Sequence, residues 1–140
     1  MSQDNVEVVE RWYLAYNERD LDQLLALMHP EVDATSAGMS GVEGAAHVGH
    51  GGIRRYFIDF WETWEDPRVE IDHMRDHGDR VIMLGRTTGR GRLSGMDVVE
   101  PVATIVTVEA GVIRHYRTYR SWSEALDAAG ADAPQARIRR

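Results

Sequence analysis

Glu100 stands in the run Asp97-Val98-Val99-Glu100-Pro101-Val102, a carboxylate among apolar and β-branched neighbours. A carboxylate that faces an apolar chamber is a candidate proton carrier; the plainer reading is a strand-end glutamate in water, and Asp97 is the neighbouring alternative. Tyr16 and Tyr116 carry hydroxyls able to donate to a carbonyl, or are buried tyrosines with satisfied hydroxyls. Other chemistries fall away. The chain has no cysteine, and none of its 16 basic residues is a lysine. Disulfides, thiolate catalysis, Schiff bases and a lysine base are therefore excluded. His47-x2-His50 and His73-x3-His77 suggest metal pairs. Residues four apart in a strand lie roughly 13 Å apart, too far to share an ion, and the first pair sits in a glycine-rich stretch. No metal and no cofactor are expected. Gly89-Arg90-Gly91-Arg92 lacks the strand–turn–helix setting of a phosphate loop, and no serine has a nucleophile-elbow context.

These residues need elements to position them. Helical spacing predicts a helix over 5–17, through Val6, Val9, Trp12 or Tyr13, and Tyr16. Asp4 with Glu7 resembles a capping box. A second helix is predicted over 21–28, capped by Asp20 and stopped at His29-Pro30. A short strand over 31–36 is followed by the Gly-, Ala- and Ser-rich stretch 37–52, read as a loop and a candidate pocket lid. A third helix over 53–65 presents Ile53, Phe57, Phe60 or Trp61, and Trp64, and ends at Asp66-Pro67. Four strands follow, over 69–76, 80–89, 97–108 and 112–120, with hairpin-like turns at Gly78-Asp79 and Ala110-Gly111. Ser121 with Glu124, then Gly130, mark a capped final helix.

Residues 1–140 suit one domain, with a core over about 5–130 and a tail over 131–140. The formal net charge of -7 argues against nucleic acid. No apolar run reaches the roughly 20 residues that span a bilayer, and the N-terminus lacks a signal-peptide core. A cytoplasmic protein that binds neither membrane nor nucleic acid is the expectation. Val102 to Val108 is apolar or β-branched on both faces, and such a strand wants cover on both sides. Helices supply one cover. A second copy of the sheet is the simplest other, so a homodimer through its outer face is expected.

The order α-α-β-α and four antiparallel strands resembles the nuclear transport factor 2-like superfamily, and most closely its SnoaL-like group. The resemblance rests on His29-Pro30-Glu31-Val32, Gly49-His50-Gly51-Gly52-Ile53-Arg54, Trp64-Glu65, Gly78-Asp79-Arg80-Val81, Gly89-Arg90-Gly91-Arg92 with Ser94-Gly95, Gly111-Val112-Ile113, and Glu124-Ala125-Leu126 with Ala129-Gly130. It implies an α+β fold: a cone-shaped, strongly curved antiparallel sheet, three N-terminal helices over its concave face, and a short C-terminal helix. The superfamily's ketosteroid isomerases use a tyrosine and two aspartates. Those positions fall on Trp12, Ser36 and Thr104, so that chemistry is absent. The Asp–Arg–Asp set of limonene-epoxide hydrolases is likewise not evident.

The resemblance also implies which side chains face the cavity. Met83, Gly85 and Thr87 point inward on one strand; Glu100, Val102, Thr104 and Val106 on the next; Tyr116, Thr118 and Arg120 on the last. Ile82, Leu84, Ile105, Arg117 and Tyr119 then face the partner subunit. Trp12, Ser36, Phe57, Trp61, Met83, Thr87, Val102, Thr104 and Thr118 are the implied substrate-binding set. Glu100 would move a proton, and Arg120, Tyr16 and Tyr116 would orient the substrate or stabilise an oxyanion. Arg120 is otherwise a rim charge reaching solvent. The expected ligand is a small apolar carbonyl compound, handled by a cofactor-independent cyclase, isomerase or dehydratase. The alternative is a non-catalytic binding or accessory module.

Overall fold

The structure, a computed structural model, describes residues 2–36 and 45–131. The order is α1 (Ser2–Glu18), α2 (Leu21–Ala26), β1 (Met28–Ser36), β2 (Ala45–Val48), α3 (Gly49–Thr63), β3 (Trp64–His77), β4 (Arg80–Gly91), β5 (Asp97–Glu109), β6 (Val112–Tyr119) and α4 (Trp122–Ala129). The strands form one sheet in the order β2-β1-β6-β5-β4-β3. The fold is α+β, and the sheet is curved but not closed. It is mixed rather than wholly antiparallel, because β1 runs parallel to β6.

Turn chemistry places the hairpins where the sequence predicts them. Gly78 (φ 76°), Ala110 (φ 52°) and Gly111 (φ 83°) adopt the left-handed backbone that tight hairpin turns require. The Asp20 carboxylate accepts from the Gln23 N–H at 3.1 Å and starts α2. The Asp4–Glu7 box is not a cap, because α1 already begins at Ser2. The expected loop is also shorter than read. Residues 37–44 lie outside the described residues, whereas Ala45–Val48 pairs with β1 and α3 starts at Gly49. His50 helps to fix that start, donating from Nε2 to the Met28 carbonyl at 2.8 Å.

The third helix stops before Asp66-Pro67. Trp64 is already extended and pairs with Gly91, so strand pairing takes the helix end. Asp66 (φ 52°) and Pro67 instead mark a break in the β3–β4 register between Glu65 and Arg68. Pro101 produces no bulge in the β4–β5 pairing. Pairing with β6 begins only at Ala103, so Pro101 lies on a free stretch of edge where its missing N–H breaks nothing.

Burial along β5 shows what covers each face. From Asp97 to Val102 exposure alternates, and Val98, Glu100 and Val102 form the half-buried set; from Ala103 to Val106 every residue is buried. On the concave face Val81, Met83, Val106 and Tyr116 pack with Val9, Trp12, Leu24 and Phe57. On the outer face Ile82, Leu84, Ala103 and Ile105 pack under Ala125, Leu126 and Ala129 of α4. Of the residues expected to meet a second copy, Ile82, Leu84 and Ile105 are covered by the chain's own last helix, and Arg117 is exposed. Ser121 caps α4 through the Glu124 N–H at 3.1 Å, and the Trp122 indole donates to the Gly85 carbonyl at 3.0 Å. His77 and Arg80 both donate to the Ala129 carbonyl, at 3.1 and 3.3 Å, where the helix end is electronegative.

Asn17 ties α1 to the sheet. Its side-chain amide donates to the Val69 carbonyl at 3.0 Å and accepts from the Val69 N–H at 2.8 Å, as a neighbouring strand would. Asn17→Ala leaves both backbone groups without these partners. It is expected to cost about 2 kcal/mol, read as a lower midpoint in chemical denaturation. An unchanged midpoint would show that water replaces the amide at no cost.

Candidate functional site

The site is a cavity between α1 and α3 above the concave face of the sheet. Helical spacing puts Trp12 and Tyr16 on the buried face of α1 and Phe57 on that of α3. Their rings meet edge to face: Trp12 to Phe57 at 5.9 Å and Tyr16 to Phe57 at 5.7 Å between centroids. Tyr116 rises from β6 to 5.1 Å from Trp12. These rings line a cavity of about 70 Å3 that opens to solvent. Thr87 from β4, Glu100, Val102 and Thr104 from β5, and Thr118 from β6 complete much of its wall.

Alternation along β5 brings Glu100 to the wall as expected, half-buried rather than enclosed. Arg120 is a correction. It is exposed and absent from the cavity wall, because β6 ends at Tyr119 and alternation stops there. Tyr119, expected outside, contributes to the wall at this strand end, with the Arg117 guanidinium 5.4 Å from its ring centre. Met83 is fully buried in the core without reaching the cavity. Trp61 also misses the wall; its ring backs Tyr16 at 6.0 Å and Phe57 at 5.6 Å. Ser36 ends β1, its backbone paired with Ala45.

Several lining residues were not in the expected set. Tyr13, given only as an alternative to Trp12, is buried beside it, and its hydroxyl shares a 2.8 Å hydrogen bond with that of Thr104. Tyr56 lies on the edge of the α3 stripe, 5.0 Å from Phe57. Phe60, Val69 and Pro101 also contribute. Tyr56 could have been found as the residue three after Ile53 and four before Phe60, on the same helical face.

Electrostatics follow from this apolar setting. Burial pushes Tyr13, Tyr16 and Tyr116 well above the ordinary tyrosine value of 10.0, with neighbouring tyrosines adding to the shift. All three are neutral hydroxyls at physiological pH. The His47 ring lies tilted 4.4 Å from that of Tyr56, and burial holds its imidazole below 6.5. Among the described residues that line the cavity, Glu100 is the only carboxylic side chain, and no Arg or His joins it. Among the described residues no group of three or more His, Asp or Glu side chains could hold a metal ion. No described helix is long and apolar enough to cross a membrane. The aromatic design has a cost. The indole N–H groups of Trp12, Trp61 and Trp64 are buried without an acceptor, at about 1–3 kcal/mol each.

A curved sheet roofed by helices over an aromatic cavity defines a class of small α+β proteins whose members share a site but not a chemistry. Residues 9–116 match the family model of the SnoaL-like domain, and the chain belongs to that family. Curated proteins give no match. Among solved structures, a nuclear transport factor 2-like protein from Burkholderia thailandensis is similar at 27% identity and a TM-score of 0.74, covering 92% of this chain and 97% of its own. A presumed SnoaL-like polyketide cyclase from Jannaschia sp. is similar at 21% identity and TM-score 0.75, covering 96% of each chain. A protein with a ketosteroid isomerase-like fold from Catenulispora acidiphila, in complex with trimethylamine, is similar at 21% identity and TM-score 0.74, covering 91% of this chain and 98% of its own.

Proposed function

We propose that this protein binds a compact, largely apolar small molecule in the aromatic cavity and that Glu100 is the group able to exchange a proton with it. The observation that supports the reading is the wall itself: apolar ring faces, a few hydroxyls and a single carboxylate. A carbonyl-bearing ligand would meet neutral tyrosine hydroxyls as donors, with Glu100 as the base. That is cofactor-independent acid–base chemistry of the cyclase, isomerase or dehydratase kind. The position of Arg120 favours a second reading. With that cation outside the wall, an enolate loses its expected counter-charge, and a non-catalytic binding or accessory module needs none.

Hydrogen–deuterium exchange at carbon separates the two. Small cyclic ketones incubated with the protein in deuterated buffer are followed by NMR. If Glu100 is a base, Glu100→Gln slows exchange next to the carbonyl by at least about 100-fold. Exchange at the buffer rate with wild-type protein, alongside measurable binding of the same ketones, establishes the binding module. Exchange equal in wild type and variant removes Glu100 from the chemistry.

A further inference from the structure

We propose that the cavity receives the alkylated ammonium group of a small organic cation, with Glu100 as its counter-ion. The inference rests on the reading of the cavity as a small-molecule site, and it takes Glu100 as a fixed charge rather than a base. Charge is the first support. Among the described residues no Arg or His side chain contributes to the wall, and Glu100 is its one acidic side chain. An anionic ligand would be repelled by that carboxylate, with no cationic side chain among the described wall residues to compensate. The whole chain, at net charge -7, also draws cations toward it.

The rings are the second support. Trp12, Tyr16, Tyr56, Phe57 and Tyr116 all line the cavity and lie within 5.0–5.9 Å of one another in linked pairs. Aromatic faces are electronegative and attract a cation within about 6 Å of the ring centre, most strongly where water is excluded. Size and hydration make the choice of cation. A volume of about 70 Å3 holds roughly five water-sized groups, the bulk of a nitrogen carrying three or four carbon substituents. A primary ammonium needs acceptors for its three N–H groups. The wall offers one carboxylate and a few hydroxyls, of which those of Tyr13 and Thr104 already share a hydrogen bond, and ring faces replace water poorly for so strongly hydrated a group. An alkylated ammonium spreads its charge over carbon-bound hydrogens and loses less than a primary ammonium by leaving water.

Calorimetric titration at low salt tests this with three probes. One is choline. The second is its uncharged isostere, with a tert-butyl group in place of trimethylammonium. The third is cyclohexanone, a neutral carbonyl compound. Choline is expected to bind at least about tenfold tighter than the isostere, and Glu100→Gln to bring that ratio close to one. Choline and the isostere binding alike, or cyclohexanone alone binding, overturns the cationic ligand and leaves the small-molecule reading standing. A preference for choline that survives Glu100→Gln overturns the assigned counter-ion. No binding by any probe overturns both the inference and the reading beneath it.

Discussion

Gly85→Ala is expected to destabilise the protein by about 3 kcal/mol, with a fall in Tm of roughly 10 °C for a domain of this length. The cause is a close approach of two strands. A Cβ on Gly85 would stand 2.2 Å from the Glu70 carbonyl oxygen and 3.0 Å from the Met83 sulfur. The methionine can move; the carbonyl belongs to β3 and cannot move without its ladder. The β3–β4 register shifts between Ile71 and His73, leaving Asp72 as the extra residue. Such a bulge, opposite a residue with no side chain, is how a sheet bends sharply. The Gly85 carbonyl also anchors Trp122 of α4, so the strain reaches the outer face. Gly51→Ala is the matched control. It lies within α3 with nothing within 4 Å of its would-be Cβ, and it should gain up to about 1 kcal/mol of helix propensity. Thermal melts of both variants decide the matter. A wild-type midpoint for Gly85→Ala would mean that β3 does not cross as closely as described.

That contrast marks what the sequence could carry. Periodicity identified the first three helices, capping signals the last, and short-range pattern with turn signals the four long strands, because all of these are local. Gly85 read as one more inward position, since nothing near it signals that Glu70, fifteen residues earlier, passes over it. β2 was missed for a related reason. Ala45, Ala46, His47 and Val48 show no alternation, and only pairing with β1 makes them a strand. The early start of α3 overrides the low helix propensity of Gly49, Gly51 and Gly52. The two apolar faces of β5 were legible, but the helix that packs on the outer one was not assigned to it. The capped helix Trp122–Ala129 was visible in the sequence, and its landing place on Ile82, Leu84 and Ile105 was not.

The candidate site divides the same way. Two-residue alternation carried Glu100, Val102 and Thr104 to one wall, as it did Tyr116 and Thr118. It failed at Arg120, where the strand had ended, and at Met83, which points inward but lies in the packed core. On α3 a stripe of adjacent aromatics left the facing residue ambiguous. Phe60 took the wall and Trp61 became its backing. The Tyr13–Thr104 hydrogen bond joins residues 91 apart in the chain, and only tertiary structure could reveal it.

Above pH 10 the protein is expected to unfold steeply, and three of its five tyrosines should ionise only as it does so. Tyr13, Tyr16 and Tyr116 are all at least 95% buried by accessible surface. Burial raises each above its unfolded value of 10.0. The stability they contribute is therefore fully present below pH 10, where both states hold the proton. As pH rises through and beyond 10, the unfolded chain releases protons that the folded chain keeps, so stability falls. Each group steepens the loss by about 1.4 kcal/mol per pH unit, and three together by about 4 kcal/mol. A net stability of 5–15 kcal/mol, usual for a single domain, would then vanish within about one to four pH units. Tyrosinate absorbance and circular dichroism recorded in one titration test this. The native protein should show no more than two tyrosines ionising, and the remaining rise should coincide with loss of helix signal. All five ionising near pH 10 with dichroism intact would place these hydroxyls in water. The neutral hydrogen-bond donors of the proposed site would then not exist.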